Sequence, residues 1–225
     1  VREVGRLLVA TEFPDGRVGY YRRQQLEHIR GPASNQADFG LNGIRIPIGG
    51  HACLLPSSDK EAVDVGAHYL AAGLRHDERC VCALPLGRME EFREAAHRLS
   101  AGEGSVPWER LTLMDVREVY LPAGSFVGER QAERLAELIR SAVDGEGEQC
   151  RVFGCMGQML SELDLTEWWE YEQRVTPVCQ ELQTTAVCAY EPRGEGTAMW
   201  RRAAEVHPYI MTQGQLLEGR GSPGP

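Results

Sequence analysis

The chain has 225 residues, 42% hydrophobic and 25% charged, a balance that suits one substantial folded domain with a small appendage and excludes a disordered polymer. No run approaches the about 18 apolar residues of a bilayer span, and the opening Val1-Arg2-Glu3-Val4-Gly5-Arg6 lacks the apolar core of a signal peptide, so a cytoplasmic location is expected. The net charge of −9 argues against nonspecific nucleic-acid binding by the chain as a whole, because phosphate affinity rests on Lys and Arg.

That charge is uneven. Residues 1–30 carry six Arg against four acids, so the only basic stretch is N-terminal. The sequence opens without Met, and the native chain is expected to extend upstream of Val1. Seven cysteines, an odd number in a chain expected to be cytoplasmic, do not suggest a disulfide framework; they read as buried packing residues, metal ligands or redox sensors.

In chain order, Pro14-Asp15-Gly16 supplies turn chemistry between aromatic and β-branched residues, which predicts a short hairpin over 13–21, followed by a helix over 22–30. Residues 31–43 are rich in Gly, Pro, Ser and Asn and read as linker. An alternation of apolar runs and amphipathic stretches follows. Strands are expected at 52–55, 79–83, 111–115, 150–154 and 185–190, and helices at 60–74, 87–100, 129–144, 165–183 and 198–206. Strands alternating with helices of this length imply βαβ crossovers, hence an α/β fold with a mainly parallel sheet flanked by helices.

Two stretches resemble known families. Gly50-His51-Ala52-Cys53-Leu54-Leu55-Pro56-Ser57-Ser58-Asp59-Lys60-Glu61, with Cys80-Val81-Cys82, Glu118-Val119-Tyr120, Gly124-Ser125-Phe126, Cys150-Arg151-Val152-Phe153-Gly154, Val187-Cys188-Ala189-Tyr190 and His207-Pro208, resembles the MEDS domain, the methanogen/methylotroph DcmR sensory domain. That resemblance implies a degenerate RecA/KaiC-like fold and a role in sensing small molecules. The loop 55–61 lacks the glycines of a Gly-x-x-x-x-Gly-Lys-Ser/Thr phosphate loop and carries Asp59 and Glu61, so no ATPase is expected, and no enzyme of another kind is expected because the sequence offers no nucleophile with a base, no paired carboxylates in a helical frame and no His-Glu-x-x-His helix. Separately, Gly5-Arg6-Leu7-Leu8 and Pro14 to Ile29 are similar to the wing and following helix of MerR-type winged helix-turn-helix proteins, which implies a small N-terminal winged-helix fragment with Arg17, Tyr20, Tyr21 and Arg22 on the DNA backbone. The expected organisation is a partial DNA-binding element over 1–31, a linker over 32–48, a sensory domain over 49–212 and a flexible tail over 213–225.

In open parallel sheets ligands bind beyond the carboxyl ends of the strands. The expected effector site therefore comprises His51, Cys53, Pro56, Ser57, Ser58, Tyr120, Phe126, Cys155 and Gln158, a mostly apolar lining suited to a small organic molecule. An alternative reading is a metal- or thiol-responsive sensor. His51 and Cys53 share one face of a strand, Cys80 and Cys82 share one face of the next, and converging faces would give a soft ligand set. No cofactor is expected beyond that alternative metal ion. The glutamates of 167–172 read as a solvated helix face, and His207-Pro208 as a helix-terminating turn. The whole reading is a transcriptional regulator: a sensory domain controlling an N-terminal DNA-binding element, dimeric by analogy with MerR-type proteins, with no membrane partner.

Overall fold

The computed structural model describes residues 2–4, 8–12, 18–22, 36–41, 43–102, 105–122, 124, 126–143, 148–190 and 196–219. The strands, in chain order, are β1 (Arg2–Val4), β2 (Leu8–Glu12), β3 (Val18–Arg22), β4 (Gln36–Asp38), β5 (Arg45–Pro47), β6 (His51–Leu55), β7 (Arg79–Leu84), β8 (Leu111–Asp115), β9 (Cys150–Cys155), β10 (Thr185–Ala189), β11 (Tyr209–Thr212) and β12 (Gln215–Glu218). The helices are α1 (Asp59–Arg75), α2 (Met89–Gly102), the single turn α3 (Val116–Tyr120), α4 (Gly128–Ala142), α5 (Leu165–Glu181) and α6 (Gly196–Val206).

Seven strands form one sheet in the order β12-β11-β6-β10-β9-β7-β8, parallel throughout except for the β11–β12 pair. The fold class is therefore α/β with a mostly parallel sheet. Strands β6, β9 and β10 are buried along their whole length because helices cover both faces, which is why they read as continuous apolar runs rather than alternating ones. One face packs under α1 and α2, through Val63, Ala67, Leu70, Phe92 and Leu99. The other packs under α4, α5 and α6, through Leu135, Ile139, Trp168, Val175 and Trp200.

Helix α1 starts where the sequence supplies a cap: Ser58 Oγ accepts the Glu61 N–H, and Asp59 and Glu61 place negative charge at the positive end of the helix. Its Gly66 allows close approach to the sheet, since a Cβ there would lie 2.5 Å from Phe153 Cε1. Gly73 makes room for Arg151, whose guanidinium is fully buried and bound bidentately by Glu78, at 2.6 Å and 2.7 Å. Arg151 also donates to the carbonyls of Tyr69, at 3.1 Å, and Asp38.

The Asp38 contact ties in a hairpin that composition obscured. Residues 32–48 were expected to be linker, but β4 and β5 pair antiparallel within them, and Ala37, Phe39 and Ile46 are buried in the core under α1. Gly40 and Gly43 take positive φ in the turn of that hairpin. At the other end, β12 lies inside the expected flexible tail. Gln213 and Gly214, both at positive φ, make a two-residue turn of the kind that matches strand twist, and Leu217 returns to the core.

Near the N-terminus, β1, β2 and β3 form a separate antiparallel three-stranded sheet. β2 and β3 flank the predicted Pro14-Asp15-Gly16 turn, which itself lies outside the described residues, as does Arg17. Tyr20, Tyr21 and Arg22 fall on β3; Arg22 ends that strand rather than starting a helix, and residues 23–30 lie outside the described residues.

Candidate functional site

The sheet face under α5 and α6 holds a polar centre in an otherwise apolar core. His51 opens β6, Cys188 lies on the adjacent β10, Glu172 descends from α5, and His207 sits between α6 and β11. His51, Glu172 and His207 are fully buried and Cys188 nearly so. One ligand-capable atom from each of the four lies within 4.8 Å of all the others. The Glu172 Oε2 atom is 3.3 Å from His51 Nε2 and 3.3 Å from His207 Nε2, and Cys188 Sγ is 3.5 Å from His51 Nε2.

Three of the four members, His51, His207 and Glu172, are oriented from behind. The His51 Nδ1 atom is 3.1 Å from Thr176 Oγ1, one turn along α5 from Glu172. The His207 Nδ1 atom is 2.8 Å from the Ala203 carbonyl. The Tyr190 hydroxyl donates to Glu172 Oε1 at 2.5 Å and accepts from Trp168 Nε1 at 3.3 Å. Among the described residues, Glu172 Oε2 and His207 Nε2 have no hydrogen-bond partner: they approach each other, but off the line of a hydrogen bond.

Burial pushes the Glu172 carboxyl up, but His207 and His51 outweigh it and hold the group below its ordinary range, as a carboxylate. Burial and the neighbouring His207 lower His51 to about 4, despite the opposing pull of Glu172, so that its ring is neutral near pH 7. The Cys188 thiol is raised by burial and by the Glu172 charge. The centre thus gathers electron pairs, from a carboxylate, two imidazoles and a thiol, in a region with no water-exposed side.

An aromatic wall adjoins it. Tyr120, Phe126, Trp168 and Tyr171 pack with ring centroids 5.2–5.8 Å apart, and Tyr190 stacks on Trp169 at 5.8 Å. Tyr190 follows the carboxyl end of β10, next to the β6 end that continues into Pro56, Ser57 and Ser58. The chain leaves β6 towards the α1 face and β10 towards the α6 face, so the sheet has a topological switch point between these neighbours.

Of the expected effector residues, the structure brings His51, Cys53, Tyr120 and Phe126 to the α5 side. Pro56, Ser57 and Ser58 lie in the loop above β6, and Gln158 lies in the turn Gly157–Glu162. Cys155 points to the opposite face. The alternative metal set does not converge: Cys53 belongs to the α5 side and Cys80 and Cys82 to the α1 side, because the strands carrying them present opposite pleats at those positions. Burial raises the thiols of Cys53, Cys80 and Cys82, the reverse of what a reactive thiolate sensor needs.

Glu172, Cys188 and His207 were not among the expected site residues. A signal for Glu172 existed, because it falls between Trp168 and Val175 on the apolar stripe that also carries Tyr171 and Cys179. A carboxylate on that stripe is not on a solvated face. For His207 the Pro that follows it masked its role, and Cys188 looks like any cysteine on a central strand.

The family model for the methanogen/methylotroph, DcmR sensory domain matches residues 50–208, which hold five of the seven strands of the sheet and all four residues of the polar centre. The chain belongs to the MEDS family. No curated protein matches the MEDS chain. Among solved structures, a KaiC-like protein from the hyperthermophilic archaeon Pyrococcus horikoshii is similar, with 13% identity, a TM-score of 0.50, and coverage of 77% of the MEDS chain and 74% of its own. At that identity the likeness speaks for the fold alone. In the loop that follows β6, Glu61 Oε2 accepts from the Ser57 N–H at 2.6 Å and from its hydroxyl at 2.5 Å. Among the described residues no helix is long and apolar enough to cross a membrane.

Proposed function

We propose that this MEDS domain is the input module of a cytoplasmic transcriptional regulator, binding a small organic effector and passing its occupancy to an N-terminal DNA-binding element in a homodimer. The observation that carries this reading is the switch point between β6 and β10, beside which the buried Tyr190–Glu172 hydrogen bond and the aromatic cluster of Tyr120, Phe126 and Trp168 are packed. Such a place offers apolar contact area together with a few fixed polar groups, which is the usual make-up of a small-molecule site. The self-capped loop at Ser57 and Glu61 supports a binding rather than a nucleotide-hydrolysing role, since backbone N–H and hydroxyl groups that would face phosphate already hold a carboxylate.

Occupancy can regulate only if the effector binds two states of the protein unequally, by about 1–3 kcal/mol or roughly 5–150-fold in affinity for typical couplings. The test is a titration of the full-length regulator with a library of small organic metabolites, followed by thermal shift and by the fluorescence of Trp168 and Trp169. Each hit is then assayed for its effect on affinity for promoter DNA. A saturable ligand that shifts DNA affinity at least fivefold is expected. A library without binders, or binders that leave DNA affinity unchanged, would sink the proposal.

A further inference from the structure

We propose that His51, Glu172, Cys188 and His207 form a tetrahedral site for a zinc-class divalent cation, buried between the sheet and helices α5 and α6. This goes beyond the reading of the domain as an effector sensor and stands or falls separately from it.

The geometry is the first argument. Zinc bonds of about 2.0–2.1 Å to nitrogen or oxygen and about 2.3 Å to sulfur place neighbouring ligand atoms of a tetrahedron about 3.3–3.6 Å apart. Three edges of this set are 3.3, 3.3 and 3.5 Å. The remaining pairs lie within 4.8 Å, a separation that small side-chain rotations close.

The hydrogen-bond arithmetic is the second. The Ala203 carbonyl can only accept, so His207 Nδ1 carries the hydrogen at that 2.8 Å contact. The other ring nitrogen, Nε2, faces Glu172 Oε2 at 3.3 Å with no hydrogen bond between the two buried atoms. Each of these atoms has lost its hydration without a replacement hydrogen bond. A cation shared by both supplies the missing partner.

The third argument is what stands behind the ligands. Metal-bound histidines commonly hold their other ring nitrogen on a carbonyl or hydroxyl, and metal-bound carboxylates are themselves hydrogen-bonded. Here Ala203, Thr176 and Tyr190 fill those three roles, and Tyr190 engages Oε1, which leaves Oε2 for the ion. On binding, the Cys188 thiol loses its proton to solvent and its sulfur lone pair forms the metal bond. A dication with one carboxylate and one thiolate is then neutral, which is the charge a dry interior accepts. Four protein ligands close the coordination sphere, as in structural zinc sites.

The test uses the whole chain, purified without chelator, and measures zinc by mass spectrometry of the elements. Chelated protein is then titrated with Co2+ and with Zn2+. The expected result is one equivalent of metal per chain, tetrahedral d–d bands with Co2+, and a thiolate-to-cobalt charge-transfer band. Cys188→Ser is expected to lose the charge-transfer band, and Tyr190→Phe to weaken binding about 10-fold or more. The His97→Ala variant, on the exposed side of α2, serves as control and binds like the parent. The proposal is overturned if the folded wild-type chain takes up no stoichiometric Co2+ or Zn2+, or if Cys188→Ser retains the thiolate band. Because the wild-type titration decides the first point, failure of a variant to fold does not protect the idea. A folded wild-type chain that takes up no metal yet responds to an effector would overturn this inference and leave the sensor reading intact.

Discussion

Replacing Tyr190 by Phe removes one oxygen from the core and leaves the ring, so almost no volume is lost and the effect isolates the hydrogen bonds. Tyr190 donates to the Glu172 carboxylate at 2.5 Å and accepts from Trp168 Nε1 at 3.3 Å. A buried hydrogen bond to a charged group contributes about 1.5–3 kcal/mol, and the indole N–H left without an acceptor adds about 1 kcal/mol. The expected destabilisation is therefore about 3 kcal/mol, or roughly 6–12 °C in Tm for a chain of this size. Urea unfolding in chelator, followed by circular dichroism, measures it as a lower midpoint at constant m. A change below about 0.5 kcal/mol, the range of an ordinary surface substitution, would refute the picture of an ionised Glu172 held by Tyr190.

Two further outcomes follow from the same structure. Glu78→Ala leaves the guanidinium of Arg151 buried without its counter-charge and is expected to destabilise by about 3–5 kcal/mol. In an Arg151→Met background the same change should be far smaller, and equal losses in both backgrounds would show that the pair is not coupled. The pH profile of the metal-free protein reports on His51. Its pKa is lowered from 6.5 to about 4 on folding, so the unfolded chain binds the extra proton between those values. The stabilisation is fully present above about 6.5 and is lost as pH falls towards about 4, by roughly 3 kcal/mol in all. Unfolding midpoints that are flat over this window, or that do not flatten in His51→Gln, would contradict the buried neutral imidazole.

The sensory α/β core was legible because its strands and helices follow periodicities set locally. The run of β6 and the 3.6-residue spacing of α1 each specify their element without reference to the rest of the chain. The hairpin β4–β5 was hidden because its Gly- and Asn-rich composition is that of a loop, and only the burial of Phe39 and Ile46 against α1 and the Asp38–Arg151 bond make it structure. The β11–β12 turn at Gln213-Gly214 was likewise visible only as polar residues near the end of the sequence.

The sequence by itself determined the fold class, the absence of phosphate-loop glycines from residues 55–61, and the place of His51 on the first core strand. Only the tertiary structure decided which residues meet His51. The pairs within reach by spacing, Cys80 and Cys82, are turned to the other face by the pleat, whereas Glu172 and His207 lie 121 and 156 residues away along the chain and arrive on α5 and at the start of β11. Spacing rules describe a single strand or helix, and a centre assembled across the β6–β10–β11 edge by two helices leaves no spacing to read.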